Sequence, residues 1–139
     1  MIFSGYKNNN YDRKRDYISI RGAIYDTYRA LGPGLLESVY EEVLVYFLQK
    51  RGLLVQRQVE VPIEVDGIVL SSPLRIDVLV ERCVIVEIKA VLEMHGIFFQ
   101  QILTYLKLAK LHRGILVNFN TDDINDSIWN KVNGYSDDE

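Results

Sequence analysis

One cysteine, two histidines and three prolines are all that these 139 residues hold of those types. With Cys83 alone, an intramolecular disulfide framework and a cysteine-based zinc site are excluded. His95 and His112 have no second histidine three or four positions away, so neither completes a zinc pair, and both are expected as surface or capping residues. No apolar run approaches the roughly 20 residues that a bilayer span needs. The first 17 residues carry Lys7, Arg13, Lys14 and Arg15 without an apolar core, unlike a secretory signal. The expected location is therefore cytoplasmic, with no membrane partner. A glycine-rich phosphate loop is also missing, since Gly32-Pro33-Gly34 reads as a helix break. Charge of one sign is scarce. The net charge of −3 equals that of Asp137, Asp138 and Glu139, which leaves the body neutral. A basic coat for nucleic acid is excluded, whereas a transient encounter with a phosphate backbone is not.

What is present suits one folded domain. The chain is 48% hydrophobic and 25% charged, an ordinary globular balance, and its length supports a core without covalent staples. Residues 1–15 are expected to form a flexible polar leader, with Asn8, Asn9 and Asn10 in a row. From Asp16 the pattern turns helical, with Ile20, Ile24, Tyr28 and Leu31 on one face. A second helix is predicted from about Leu36 to Lys50, its stripe formed by Leu36, Tyr40, Val43, Leu44, Phe47 and Leu48. The period then changes to two. Val59, Val61, Ile63 and Val65 alternate with polar residues, Pro62 marks an edge strand, and Asp66-Gly67 signals a type I′ hairpin. Ile68–Leu70, Leu74–Val80, Val84–Ala90 and Gly114–Phe119 read as strands, and 93–110 as a long helix. The remainder, 121–139, is polar, with a short helix expected around Ile124 to Val132. Helix, helix, three antiparallel strands, helix and strand make an α/β fold with a mixed central sheet flanked by helices. Its last strand is parallel to the third through a crossover.

The strands around Cys83 carry the chemistry. A three-residue turn, Glu81 to Cys83, pairs Ile76 with Ile88, Val78 with Val86 and Val80 with Val84, so one face is wholly apolar. In that register Asp77 lies opposite Glu87, and Lys89 follows on the same face. Facing carboxylates have Cβ atoms about 5 Å apart and repel, and one tends to keep a proton. A divalent cation resolves the conflict. Two carboxylates, a carbonyl and waters suit Mg²⁺ or Mn²⁺, and Lys89 could then position or help deprotonate a water. The alternative is a cross-strand salt bridge in which Lys89 neutralises one carboxylate.

Asp77, followed ten positions later by Glu87-Ile88-Lys89, resembles the PD-(D/E)xK nuclease core. Gly34-Leu35-Leu36-Glu37-Ser38-Val39-Tyr40 resembles the signature of the GxxExxY protein family. Val86–Ala90, Gln101–Lys107 and Gly114–Phe119 are similar to further blocks of that family, so the resemblance spans about Tyr17 to Asn120. No proline immediately precedes Asp77, a departure at a position that varies in the superfamily. The resemblance implies a restriction-endonuclease-like αβββαβ core over residues 16–120. It also implies Mg²⁺- or Mn²⁺-dependent hydrolysis of phosphodiesters in DNA or RNA. Asp77, Glu87 and the carbonyl of Ile88 would hold the metal, and Lys89 would serve the attacking water. Glu37 would be the helical acid aimed at the metal, directly or through water. Gln101 and Tyr105, four apart on one helix face, would touch substrate phosphate or orient the lysine.

Each assignment has a plainer counterpart. Glu37 could simply favour a helix N-terminus. Gln101 could satisfy a backbone group, with Gln100 taking its place if the helix is rotated. Tyr40 is expected in the core with its hydroxyl hydrogen-bonded. At the level of the whole protein, a binding module on a nuclease scaffold and a small-nucleotide phosphohydrolase compete with the nuclease. A homodimer, which could cut both strands, stays open as well.

Overall fold

The computed structural model describes residues 10–134; residues 1–9 and 135–139, with Asp137, Asp138 and Glu139, lie outside that range. Helices α1 (Asn10–Leu31) and α2 (Glu37–Lys50) precede a five-stranded sheet. Its strands are β1 (Val55–Val61), β4 (Leu74–Val80), β5 (Val84–Lys89), β6 (Arg113–Asn118) and β7 (Ile128–Val132), hydrogen-bonded in that order. Helix α3 (Gly96–Ala109) crosses from β5 to β6, which pair in parallel, and every other neighbour in the sheet is antiparallel. Three antiparallel strands, a crossover helix and a parallel strand reproduce the expected α/β order. No helix among the described residues is long and apolar enough to cross a membrane.

The sheet divides two cores. Ile20, Ile24, Tyr40, Leu44 and Leu48 of α1 and α2 pack on Val78, Val80, Val86 and Ile88. On the other face, Ile102, Leu106 and Ala109 of α3 pack on Ile76, Leu79, Ile85 and Leu116. Gly114 lets α3 lie this close, because a Cβ there would stand 2.9 Å from Ile102.

Three elements differ from expectation. Helix α1 starts at Asn10, inside the stretch read as a leader, because Arg13, Lys14 and Arg15 are good helix formers. The alternating middle segment splits. Val55–Val61 joins the sheet, whereas β2 (Glu64–Val65) and β3 (Ile68–Val69) form a separate hairpin. Pro62 has no N–H to continue the ladder. Asp66 and Gly67, with φ of 51° and 77°, make the left-handed turn that was expected. Finally, the helix expected near Ile124 to Val132 is a 3-10 turn (Ile124–Ser127) followed by β7. Ile128, Trp129 and Val132 are β-branched or aromatic and favour a pleated edge. Trp129 meets Phe99 of α3 edge to face at 5.2 Å. The sheet thereby extends past Asn120.

Candidate active site

The loop before α2 sets the first acid. Gly34 takes a φ of 98°, which suits glycine. The fully buried Tyr40 donates its hydroxyl to the Gly32 carbonyl at 2.6 Å, accepts from the Leu35 N–H at 3.2 Å and stacks on Phe119 at 4.6 Å. As expected, Tyr40 is a core residue with a satisfied hydroxyl. It ties down the loop that delivers Glu37 to the start of α2. Glu37 then accepts the Ala90 N–H at 3.2 Å, at the end of β5.

Asp77 and Glu87 meet where β4 and β5 part. The ladder runs Val80↔Val84, Leu79↔Ile85 and Val78↔Val86, the register chosen from the apolar pattern. The next backbone bonds are taken over by side chains. Glu87 Oε1 accepts the Asp77 N–H at 3.2 Å, and Asp77 Oδ2 accepts the Ile88 N–H at 2.9 Å. Ile76 and Ile88, expected on one face, instead enter opposite cores. Two carboxylates wedged between strands leave no room for that pair to stay in register.

Electrostatics mark the same two groups. Burial raises the Glu87 carboxyl to about 8, and the Asp77 charge adds to this, while the Asp77 N–H and Lys89 oppose it. Asp77 is also raised, first by burial and then by the charges of Glu41 and Glu37, against hydrogen bonds from Ile88 and Glu87. Both shifts favour retention of a proton by the pair. Lys89 lies on the α3 side, its ammonium 4.6 Å from the Phe98 ring centre. From α3, Gln101 Nε2 donates to the Tyr105 hydroxyl at 3.1 Å. Tyr105 is raised by burial and by the charges of Glu87 and Asp77, against its bond from Gln101. Tyr105 is therefore near enough to the acidic pair to feel its charge, and Gln101 is bonded to Tyr105. Gln100 is exposed, its backbone carbonyl accepting from Thr104.

The donor set fits a hard divalent cation. Mg²⁺ is commonly held by one or two carboxylates together with waters and substrate phosphates. Asp77 and Glu87 supply the two carboxylates. Among the described residues no group of three acidic, histidine or cysteine side chains is arranged to hold a metal ion, so Glu37 does not complete a three-ligand cluster with the pair.

Two buried polar residues beside the candidate site escaped sequence reasoning. Glu41, one helical turn after Glu37, is buried and paired with Arg57 of β1. Asn118 is buried at the end of β6, level with Lys89. Its side chain accepts from the N–H groups of Val91 and Asn120 and donates to the Val91 carbonyl, fixing the chain as it leaves β5. The i, i+4 spacing of Glu37 and Glu41 was the available signal for the first. The asparagine ending an otherwise apolar strand was the signal for the second. His95 is exposed at the start of α3 against Phe98, as expected, whereas His112 is half-buried and its Nδ1 bonds the Asn133 carbonyl at 2.7 Å rather than lying free on the surface or capping a helix.

A family model described as the PD-(D/E)XK nuclease superfamily matches residues 15–131. Neither a curated protein nor a solved structure matches the chain.

Proposed function

The chain belongs to the PD-(D/E)XK nuclease superfamily, and from that premise we propose that it hydrolyses phosphodiester bonds in DNA or RNA with Mg²⁺ or Mn²⁺. Within the superfamily we place it in the GxxExxY group, on Gly34, Glu37 and Tyr40. The observation that carries the reading is the meeting of Asp77 and Glu87, each bonded to the backbone of the other's strand, with Lys89 one pleat beyond. A structural role alone would be met by amides, which accept the same bonds without a proton conflict.

Asp77, Glu87 and the Ile88 carbonyl would hold the metal, and Glu37 would serve it directly or through water. When bound, the cation neutralises charge on the scissile phosphate and lowers the pKa of water. Lys89 orients the attacking water and offsets negative charge growing on phosphorus-bound oxygens. The Gln101 amide and the Tyr105 hydroxyl donate to a phosphate oxygen and fix the strand for in-line attack. Glu87 is buried and Asp77 half-buried, so the acidic pair is partly desolvated. We place the protein in the cytoplasm.

The test compares wild type with Asp77→Ala and Lys89→Ala on matched DNA and RNA substrates in Mg²⁺ or Mn²⁺. Wild type cleaves, and chelation stops it. Each substitution lowers kcat by at least about 100-fold, an ordinary loss for a group acting on the proton in flight or the charge that develops. Equal cleavage by all three proteins would refute the assignment.

A further inference from the structure

The acidic end of the sheet has a second arm, on the side of α2. Glu41 is only 7% exposed. Its Oε2 accepts from Arg57 Nε at 3.1 Å and Nη2 at 3.0 Å, and its Oε1 accepts from Gln58 Nε2 at 2.6 Å. In the β1–β4 register Arg57 faces Val78 and Val59 faces Ile76, which sets Gln58 level with Asp77. Gln58 has a φ of 48°. A residue with a side chain takes that left-handed conformation only under constraint, and such constraint concentrates at functional sites.

Stability does not explain the arrangement. A buried ion pair is commonly matched or bettered by apolar side chains of equal volume. Nor is the guanidinium used up. Glu41 engages two of its five N–H groups, and 45% of the Arg57 side chain remains open to solvent. A fixed guanidinium with donors to spare matches phosphate oxygens in geometry as well as charge. The surroundings need such a cation. The charges of Glu37 and Glu41 reach Asp77, and Glu87 accepts the Asp77 N–H at 3.2 Å. Lys89, Gln101 and Tyr105 serve the α3 side of the pair, and Arg57 stands on the other.

We propose that Arg57, aimed by Glu41 and Gln58, binds a substrate phosphate adjacent to the scissile one. Arg57 is then a substrate-binding residue, and Glu41 and Gln58 are positioning residues. The proposal rests on the nuclease reading above.

The test uses Arg57→Gln, Glu41→Gln and the double variant of the full chain, with one labelled oligonucleotide offered as duplex DNA, single-stranded DNA and RNA. Arg57→Gln alone strands a buried carboxylate and lowers Tm. The double variant removes both charges and recovers Tm. In the double variant KM stays raised by about 10-fold or more while kcat stays within about threefold, the pattern of lost ground-state binding. The slope of log affinity against log salt also falls by about 1, one phosphate contact fewer. If KM and the salt slope return to wild-type values in the double variant, Arg57 merely neutralises Glu41 and the proposal fails alone. If wild type cleaves none of the three substrates, the nuclease reading fails and takes this one with it.

Discussion

The β4–β5 pair has two ends built on opposite terms. At the closed end, Val78↔Val86, Leu79↔Ile85 and Val80↔Val84 bond through their backbones, and all six side chains are buried and apolar. The turn beyond them runs through Glu81 and Arg82, both left-handed, and returns the Cys83 N–H to the Val80 carbonyl at 3.0 Å. At the open end, side chains complete the sheet. Asp77 and Glu87 accept backbone N–H groups across the gap, Glu37 caps Ala90, and Asn118 holds Val91 on both its polar groups. The difference shows where chemistry can be placed on a sheet. A ladder can open only where other groups satisfy its N–H and C=O. Carboxylates that do so are fixed in position, partly desolvated and within reach of solvent at the strand ends.

The largest expected effect comes from removing the proton conflict at the open end. The Glu87 carboxyl titrates near 4.5 in the unfolded chain and near 8 in the fold. Below the first value both states hold the proton and no penalty exists. As pH rises from 4.5 to 8, the unfolded chain releases a proton that the folded one keeps, so stability falls across that window. Above 8 the penalty is complete. In metal-free buffer Glu87→Gln is expected to be more stable than wild type at pH 8.5 by on the order of 3–5 kcal/mol. The advantage disappears by pH 4, and cleavage is lost. Denaturant titrations at the two pH values check this. Parallel stability curves for the two proteins would show that Glu87 carries no such burden.

How legible these two ends were in sequence follows from the forces that set them. The closed end was readable because register there is fixed by apolar alternation, and Val78, Val80, Val84 and Val86 admit one pairing. The same register brought Asp77 opposite Glu87. The parting of Ile76 and Ile88 was not readable, since it depends on side-chain oxygens replacing backbone acceptors. Glu41 was hidden for a related reason. A glutamate on the second helix looks solvated until Arg57 and Gln58, 16 and 17 positions later, fold over it. Val55–Arg57 escaped notice as strand because β1 is an edge and buries little. Strand β7 was missed because none of its five residues is buried and they lack a strong period.

A smaller effect is expected at Asn118. Asn118→Ala removes the buried side chain that pairs both the N–H and the carbonyl of half-buried Val91. The loss is about 1–3 kcal/mol, the usual range for stranded buried polar groups. Lys89 is level with Asn118 and its carbonyl accepts the Phe119 N–H at 2.9 Å, so slack at Val91 reaches the lysine. Thermal unfolding and kcat are both expected to fall. A variant with reduced Tm and full kcat would show that the exit of β5 does not position Lys89.

The smallest effect tests whether the closed end acts only as support. Ile85 is fully buried, belongs to the α3-side core with Ile102 and Leu106, and precedes Glu87 by one pleat on the same face. Ile85→Val removes one methylene and is expected to cost about 0.5–1.5 kcal/mol. Because the open end is held by its own side-chain bonds to Asp77 and Ile88, kcat should stay within about twofold, less than ~0.5 kcal/mol in barrier. A tenfold fall in kcat with so small a change in stability would mean that packing beneath Glu87, rather than the bonds around it, sets where the carboxylate points.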